Sequence, residues 1–286
     1  MASLTRYALK AGTFRFTIGK TRVTEDFHEH THAYTELVVI LGGTGRHIID
    51  GNSYFVTSGD VYVFRGSASH GFTDVDALDM CNIGFEPAVL APVDGVLRTL
   101  PGYQALFLLG PSSRSGSDFS CRLRLSLADR SSAERMIDRM IAEARKKEDG
   151  YEAALTALFT EFIVFLSRRY GKTTAASTED VHRLAMAMSF LEREFRSDIR
   201  LNELAKRAGL SERQFLRAFR SHYQTTPIDY LLKLRVMHAS RLLSSDAPIT
   251  DIAYESGFSD SNYFTRQFKR VMGVSPREFR VRSTAI

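Results

Sequence analysis

Leu201-Asn202-Glu203-Leu204-Ala205-Lys206-Arg207-Ala208-Gly209-Leu210-Ser211 returns roughly fifty residues later as Ile249-Thr250-Asp251-Ile252-Ala253-Tyr254-Glu255-Ser256-Gly257-Phe258-Ser259. The eleven positions align without a gap. After one inserted residue in the second copy, Phe215, Phe219, Pro227 and Tyr230 match Phe264, Phe268, Pro276 and Phe279. Each copy reads as a short helix, a sharp turn and a second helix. Ala205 is small enough for the second helix to cross closely, and Gly209 permits the turn. Ser211 is a helix cap, and Gln214 three residues on completes a capping box; Ser259 holds the equivalent place in the second copy. Phe215 and Phe219, spaced i,i+4, face the core, as do Phe264 and Phe268. That leaves Arg213, Gln214, Arg217 and Arg220 on the outside of one helix, and Ser261, Asn262, Thr265, Arg266 and Lys269 on the other. Arginine pairs bidentately with guanine and asparagine with adenine in the major groove, so the pattern points to double-stranded DNA.

The distribution of charge agrees. Up to Ser177, twenty Lys and Arg meet twenty Asp and Glu; from Thr178 onward, eighteen meet thirteen. The whole excess lies in the last third, where a polyanion contact needs it, although a merely soluble basic surface would give the same count. At 286 residues, 44% hydrophobic and 25% charged, the composition is that of a globular protein long enough for two domains. Apolar runs such as 37–41 and 162–166 fall far short of the roughly 20 residues that span a bilayer. The first twenty residues lack an export pattern, so the expected location is the cytoplasm with no membrane partner. Cys81 and Cys121 lack metal-type spacing and are expected to stay reduced, without a role.

The first half reads as short strands over 36–41, 46–49, 53–57 and 60–64, separated by Gly42-Gly43, Asp50-Gly51 and Ser58-Gly59. Such spacing predicts an antiparallel sandwich or barrel, with Asp50-Gly51 as a hairpin turn. Two amphipathic helices follow. In 131–148 the stripe is Ala133, Met136, Ile137, Met140, Ile141 and Ala144; in 151–170 it is Leu155, Leu158, Phe159, Phe162, Ile163 and Leu166. Periodicity fits packing against the barrel and a subunit interface equally. Residues 171–178 read as a linker. The fold class is therefore α+β: an antiparallel β-barrel with two following helices, then an all-α domain.

The repeat resembles the AraC/XylS family of transcription regulators. The resemblance rests on Ile249 to Ala253, Gly257 to Phe264, Phe268-Lys269-Arg270 and Pro276-Arg277-Glu278-Phe279-Arg280, and covers roughly the last hundred residues. It implies two helix-turn-helix units joined by a helix at about 228–243 that enter adjacent major-groove segments of promoter DNA. Arg213 and Arg217 match the family's base-facing positions in the first unit, and Ser261, Asn262 and Arg266 in the second. A regulator of this kind is usually an activator; RNA polymerase is an expected partner, and the stripes on 131–170 are expected to support a homodimer. The resemblance implies no required cofactor and no enzymatic activity.

Further upstream, His30-Thr31-His32, Glu36, Gly43, Gly59 and His70 are similar to the two cupin motifs, with Arg65 and Ser67 departing from the usual Pro and Gly. Period two puts His30, His32, Tyr34 and Glu36 on one face of an extended segment, where a barrel interior can gather them with His70. Three imidazoles and a carboxylate can hold a divalent transition metal on His30, His32, Glu36 and His70. The alternatives are a polar effector pocket and hydrogen-bonded structural histidines. The resemblance to sugar-responsive members of the family, the rhamnose regulators among them, implies that such a frame often binds its effector without a metal. The convergent donors and acceptors of His30, His32, Tyr34, Glu36, Arg46 and His70, with Phe64 or Phe72 as an aromatic wall, suit a small polar effector such as a sugar or sugar derivative, and an aromatic or amino-acid-derived effector is the alternative. The expected layout is a sensor barrel over 1–125, a helical dimerisation segment over 126–170, the linker over 171–178 and the DNA-binding domain over 179–286.

Overall fold

A computed structural model of the chain describes residues 7–11, 14–49, 51–65, 69–109, 122–170 and 179–284. The expected linker, Ser67 and Cys121 lie outside the described residues. The chain divides into two compact units, one ending at Ala185 and one beginning at Met186.

Among the described residues of the first unit, eight strands form one antiparallel sheet. They are β1 (Tyr7–Ala11), β2 (Phe14–Val23), β3 (Phe27–His30), β4 (Thr35–Ile49), β5 (Asn52–Thr57), β6 (Asp60–Arg65), β7 (His70–Phe85) and β8 (Leu123–Arg124). Their order is β1-β2-β7-β4-β6-β8, with β3 added to β7 and β5 to β4. Ile49 pairs with Asn52, so β4 and β5 make the predicted hairpin, with Gly51 at φ 77°.

Gly42-Gly43 does not end a strand as its sequence pattern predicts. β4 runs straight through, and its register against β7 shifts between Ile40 and Gly42, between Gly42 and Thr44, and again before Arg46. Gly43 has φ 74°, and a Cβ there would sit 2.2 Å from the Ala77 carbonyl oxygen, so the bulge needs glycine. The bulge reverses which residues face inward. Val38 and Ile40 join the inner core before it, and Ile49 joins after it, alongside Val56, Tyr62, Phe64, Phe72, Leu78 and Met80. Because strands from β4 through β7 meet in this one cluster, the sheet curls around its own core.

The opposite face is equally dry, with Leu37, Val39, Val61, Val63 and Ile83 fully buried. Cys81 lies among them, and burial pushes its thiol up to about 12, as befits a core residue. The sheet is followed by the short helices α1 (Asp94–Leu97) and α2 (Pro101–Tyr103), the latter running into a π-helical turn at Gln104–Leu109, and by the long α3 (Leu127–Lys146) and α4 (Tyr151–Tyr170). Phe159 of α4 meets Phe16 and Phe85, a cross-strand pair, edge-on at 5.0 and 4.9 Å. Leu155, Phe162, Ile163 and Leu166 are buried with it, as are Ala133, Ile137, Met140, Ile141 and Ala144 of α3. Most of both predicted stripes is therefore occupied by packing within the chain.

In the second unit, α5 (Glu179–Glu194), which spans the division, leads to α6 (Leu201–Arg207), α7 (Glu212–Tyr223), α8 (Pro227–Leu242), α9 (Ile249–Glu255), α10 (Ser261–Met272) and α11 (Pro276–Thr284). The repeat survives to the level of single hydrogen bonds. Leu210 N–H donates to Ala205 at 2.9 Å and Phe258 N–H to Ala253 at 3.0 Å; Gly209 donates to Lys206 at 3.0 Å and Gly257 to Tyr254 at 2.9 Å. Both glycines are left-handed, with φ 62° and 88°. This is the same Schellman-type turn twice. α8 is shared. Its Tyr230 packs on Phe219 of the first copy, while Leu232, Val236 and Ala239 enter the core of the second with Ile252, Ala253, Phe258, Phe264 and Phe268.

Candidate functional site

The second helix of each copy carries the predicted cationic face. On α7, Phe215 and Phe219 are fully buried while Arg213, Gln214, Arg217 and Arg220 are exposed. On α10, Phe264 and Phe268 are fully buried, Asn262, Thr265, Arg266 and Lys269 are exposed, and Ser261 is half-buried. Ser211 accepts from Gln214 N–H, and Gln214 Oε1 accepts from Ser211 N–H at 3.0 Å, so Gln214 completes the predicted capping box. The second cap is not Ser259. Asp260, the inserted residue, stands at the N-cap and accepts from Tyr263 N–H, because the insertion moves the helix start by one. Thr265 donates its hydroxyl to the Ser261 carbonyl at 2.9 Å. Arg213, Arg217, Arg220 and Arg266 make no ion pair among the described residues, although Arg266 lies 5.9 Å from the Tyr263 ring. Most arginines of the sheet unit, by contrast, are bound to carboxylates: Arg122 and Arg124 both grip the buried Asp60, at 2.7 and 2.8 Å.

In the sheet unit the histidines do converge. His32 Nε2, His70 Nε2 and Glu36 Oε2 lie 3.1 to 3.3 Å from one another. Asn82 donates to the other carboxylate oxygen at 3.2 Å. His32 Nδ1 lies 2.9 Å from the Tyr34 carbonyl, which only accepts, so Nδ1 carries a proton. Nε2 then meets Glu36 as the N–H of an imidazolium, as a lone pair accepting from a protonated carboxyl, or as a lone pair sharing a cation with the carboxylate. Burial would raise the Glu36 carboxyl, but the hydrogen bond from His32 and the nearby imidazoles hold it below its ordinary value. Burial lowers His70 to about 4, against the pull of Glu36.

Tyr34 lies flat on His32 at 4.3 Å, over Gly84, where a Cβ would come within 2.8 Å of the Tyr34 ring. His30 pairs with His70 across β3 and β7 and its ring sits 4.5 Å away, yet its Nδ1 turns to the His28 carbonyl at 3.4 Å. Phe64 and Phe72 stand behind the histidines: Phe64 stacks on His70 at 4.7 Å and Phe72 on His47 at 4.3 Å.

Arg46 does not join this cluster. It points out to Asp74 (3.3 Å) and Ser53 (3.3 Å), because the glycine bulge reverses the face of β4 between Glu36 and Arg46. His47 takes the inward place, fully buried, with Nε2 3.5 Å from His70 Nδ1. The three glycines at 42, 43 and 45 are the one sequence signal for that reversal. Asn82 and Gly84 carry no such signal, since they reach Glu36 only through the pairing of β7 with β4.

Two family models match the chain: the AraC-like ligand binding domain over residues 17–163 and a helix-turn-helix domain over residues 204–282. The chain belongs to the AraC family. It is accordingly a DNA-binding transcription regulator with a ligand-binding domain, and this family is one of regulators, not enzymes. Among AraC-family relatives, the HTH-type transcriptional activator RhaR of Yersinia pestis is 31% identical over 261 residues, covering 90% of this chain and 86% of that protein. RhaR of Klebsiella pneumoniae is 30% identical over 261 residues, covering 91% and 89%. Among solved structures, the DNA-binding domain of AdpA in complex with a target DNA is 32% identical, covers 36% of this chain and 94% of that one, and has a TM-score of 0.35. ToxT from Vibrio cholerae is 13% identical, covers 93% and 98%, and has a TM-score of 0.35. Among the described residues, no helix is long and apolar enough to cross a membrane.

Proposed function

We propose that this regulator is an activator of carbohydrate or related small-metabolite genes, acting in the cytoplasm with RNA polymerase as its partner at the promoter. It reads promoter DNA through α7 and α10. The observation that carries this reading is the set of exposed arginines, Arg213, Arg217, Arg220 and Arg266, without acidic partners on two repeated helices. Asn262, Thr265 and Lys269 share the α10 face, with Gln214 and Ser261 at the helix starts. Arg217→Ala or Arg266→Ala is expected to weaken binding to a cognate duplex by about 1–3 kcal/mol, and to weaken random duplex far less, as base-reading arginines do. Equal loss on both, measured by fluorescence anisotropy, reassigns that arginine to the phosphates.

The effector in this reading is a small polar metabolite, a sugar or sugar derivative, held near His30, His32, Glu36, His70 and Asn82 with Tyr34 as an aromatic wall. Polyhydroxylated ligands need convergent donors and acceptors, which this cluster concentrates, and the relatives named as RhaR activators support a regulator of the same type. Binding switches the regulator if one state of the protein holds the effector better than another. Calorimetry over a panel of sugars, repeated with His32→Ala and Glu36→Ala, tests the site: an effector whose affinity neither substitution changes places the pocket elsewhere. The sensor extends over 1–125, and 126–170 pairs two copies, bringing two DNA-binding domains to paired half-sites; with most of the predicted stripes buried within the chain, Met136 and Leu158 are the stripe residues left half-buried for that contact. A full-length chain that sediments as a monomer at every concentration removes the homodimer.

The same cluster also fits a divalent transition metal. Tetrahedral ligands at about 2.0–2.1 Å from zinc lie about 3.3 Å apart, close to the 3.1 to 3.3 Å between His32 Nε2, His70 Nε2 and Glu36 Oε2. The Tyr34 carbonyl already orients His32 for ligation. Such an ion would supply a positive charge to draw in an effector oxygen; His30 stays outside the ligand set. Elemental analysis of protein purified without chelator decides it: stoichiometric metal that disappears in Glu36→Gln supports the ion, and its absence with no rebinding leaves the cluster purely organic.

A further inference from the structure

A three-way junction links the two helix-turn-helix copies. α5 is tied to the first copy, with the Arg207 guanidinium of α6 lying 3.5 Å over the Phe190 ring, yet the segment that leaves α5 lands on the second copy. Arg235 of α8 donates from Nε to the Phe195 carbonyl and from Nη2 to the Ser197 carbonyl, each at 2.7 Å. Its guanidinium carbon lies 5.9 Å from the ring of Phe258, the residue that closes the second turn. Beside it, Gly257 admits the backbone of Arg196: a Cβ at Gly257 would sit 2.7 Å from Arg196 Cα and 2.8 Å from its carbonyl oxygen. Phe195 completes the contact by packing edge-on against His238 of α8 at 5.3 Å.

These contacts differ from the packing of α8 itself. Near its start α8 meets the first copy through Tyr230 on Phe219, the Tyr230 hydroxyl also donating to Glu192 of α5, and it meets the second copy through Leu232 to Ala239. A helix attached to the first copy at one end leaves a pivot there. The Arg235 junction adds a second, separate attachment between the frame of the first copy and the turn of the second, and two separate attachments remove the pivot. Both of these donors of Arg235 are directed at backbone carbonyls, which sets it apart from the unpaired arginines of α7 and α10. Arginine suits such a place because its planar fork holds two carbonyls at once and keeps its charge when half-buried.

We propose that Arg235, braced by the close approach at Gly257, is a positioning residue that fixes the angle and spacing between α7 and α10. The spacing tolerated between the two half-elements of a DNA site is then set at this junction, and their base sequence by the recognition helices. This rests on the DNA-binding reading above. Rigidly linked binding elements gain affinity only when their geometry matches the site, and lose it when the link loosens.

The test uses the full-length chain to select duplexes from a randomised library, and the wild-type selected duplex then serves as the probe. Wild type is expected to select two half-elements at one spacing. Arg235→Leu is expected to select the same half-elements with spacing relaxed by about one base pair. It should bind the wild-type duplex about 10- to 100-fold more weakly. Arg235→Lys, which keeps the charge but reaches one carbonyl, should fall between. An unchanged spacing preference in both variants overturns the proposal, and so does loss of one half-element from the selected pool, which would place Arg235 in the reading surface or local fold of one copy. If Arg235→Leu does not fold, Arg235→Lys decides on the same criteria. Failure of wild type to select any sequence defeats the DNA-binding reading itself, a result separable from all of these.

Discussion

The two helix-turn-helix copies share a skeleton and differ in what they present. Turn hydrogen bonds, left-handed glycines and buried phenylalanine pairs repeat almost atom for atom. The outer faces do not: α7 offers three arginines behind a serine–glutamine capping box, and α10 offers Asn262, Thr265, Arg266 and Lys269 behind an aspartate cap. Packing has one good solution for a short helix crossing a longer one, so the interior is held constant. The outside meets no such constraint and is open to two different base sequences. In the DNA-binding reading proposed above, the two helices then read different sequences, and one chain suits an asymmetric site.

The sharpest way to break that comparison is to remove the same core residue from each copy. Phe215→Ala and Phe264→Ala each empty a fully buried position, and each is expected to cost about 3–5 kcal/mol. Because α8 packs into both copies, either substitution should shift one common urea transition of the helical unit, followed by far-ultraviolet dichroism. Two separate transitions, with only the mutated copy melting early, would show that the copies fold independently.

A second comparison sets two glycines of like backbone conformation against each other. Gly257 and Gly273 have φ 88° and 79°, but a Cβ at Gly273 meets nothing within 4 Å. Gly273→Ala should cost only the left-handed strain, about 1 kcal/mol. Gly257→Ala adds displacement of the Arg196 backbone and should cost about 2–4 kcal/mol. Equal costs in the same urea experiment would mean that the loop at Arg196 gives way freely, and that the junction is soft.

Legibility followed the range of the interactions. The repeat could be read from sequence because its determinants lie close together, from Ala205 to Phe219 in the first copy: a small residue, a glycine, a cap and an i,i+4 phenylalanine pair. His32, Glu36 and His70 were also legible, through their spacing. Arg46 was misplaced because period two holds only until a bulge intervenes, and the bulge at Gly42-Gly43 resembles a turn until the pairing of β4 with β7 is known. His47 was missed for the same reason. Asn82 and Arg235 were illegible, since each acts across a distance in sequence that no local pattern encodes: 46 residues to Glu36 and 40 to Phe195. The long stripes of α3 and α4 announced burial without saying against what; Phe159 places part of the α4 stripe on the sheet, against Phe16 and Phe85.

The smallest effect separates the copies at their helix starts. Alignment puts Ser211 and Ser259 in register, yet only Ser211 caps, because the inserted Asp260 takes over in the second copy. Ser211→Ala removes one half of a capping box and Asp260→Ala removes the acceptor for Tyr263 N–H, so each should cost about 1 kcal/mol. Ser259 is exposed and lies outside the helix; Ser259→Ala should stay within about 0.5 kcal/mol, as surface substitutions do. Asp260→Asn separates the two contributions of the aspartate. Asparagine keeps the acceptor and loses the charge that favours a helix N-terminus, so it should recover most of the loss, leaving about 0.3 kcal/mol sensitive to salt. A Ser259→Ala cost matching that of Ser211→Ala, in the same urea titration, would restore the simple repeat and remove the one-residue shift that distinguishes the start of α10 from that of α7.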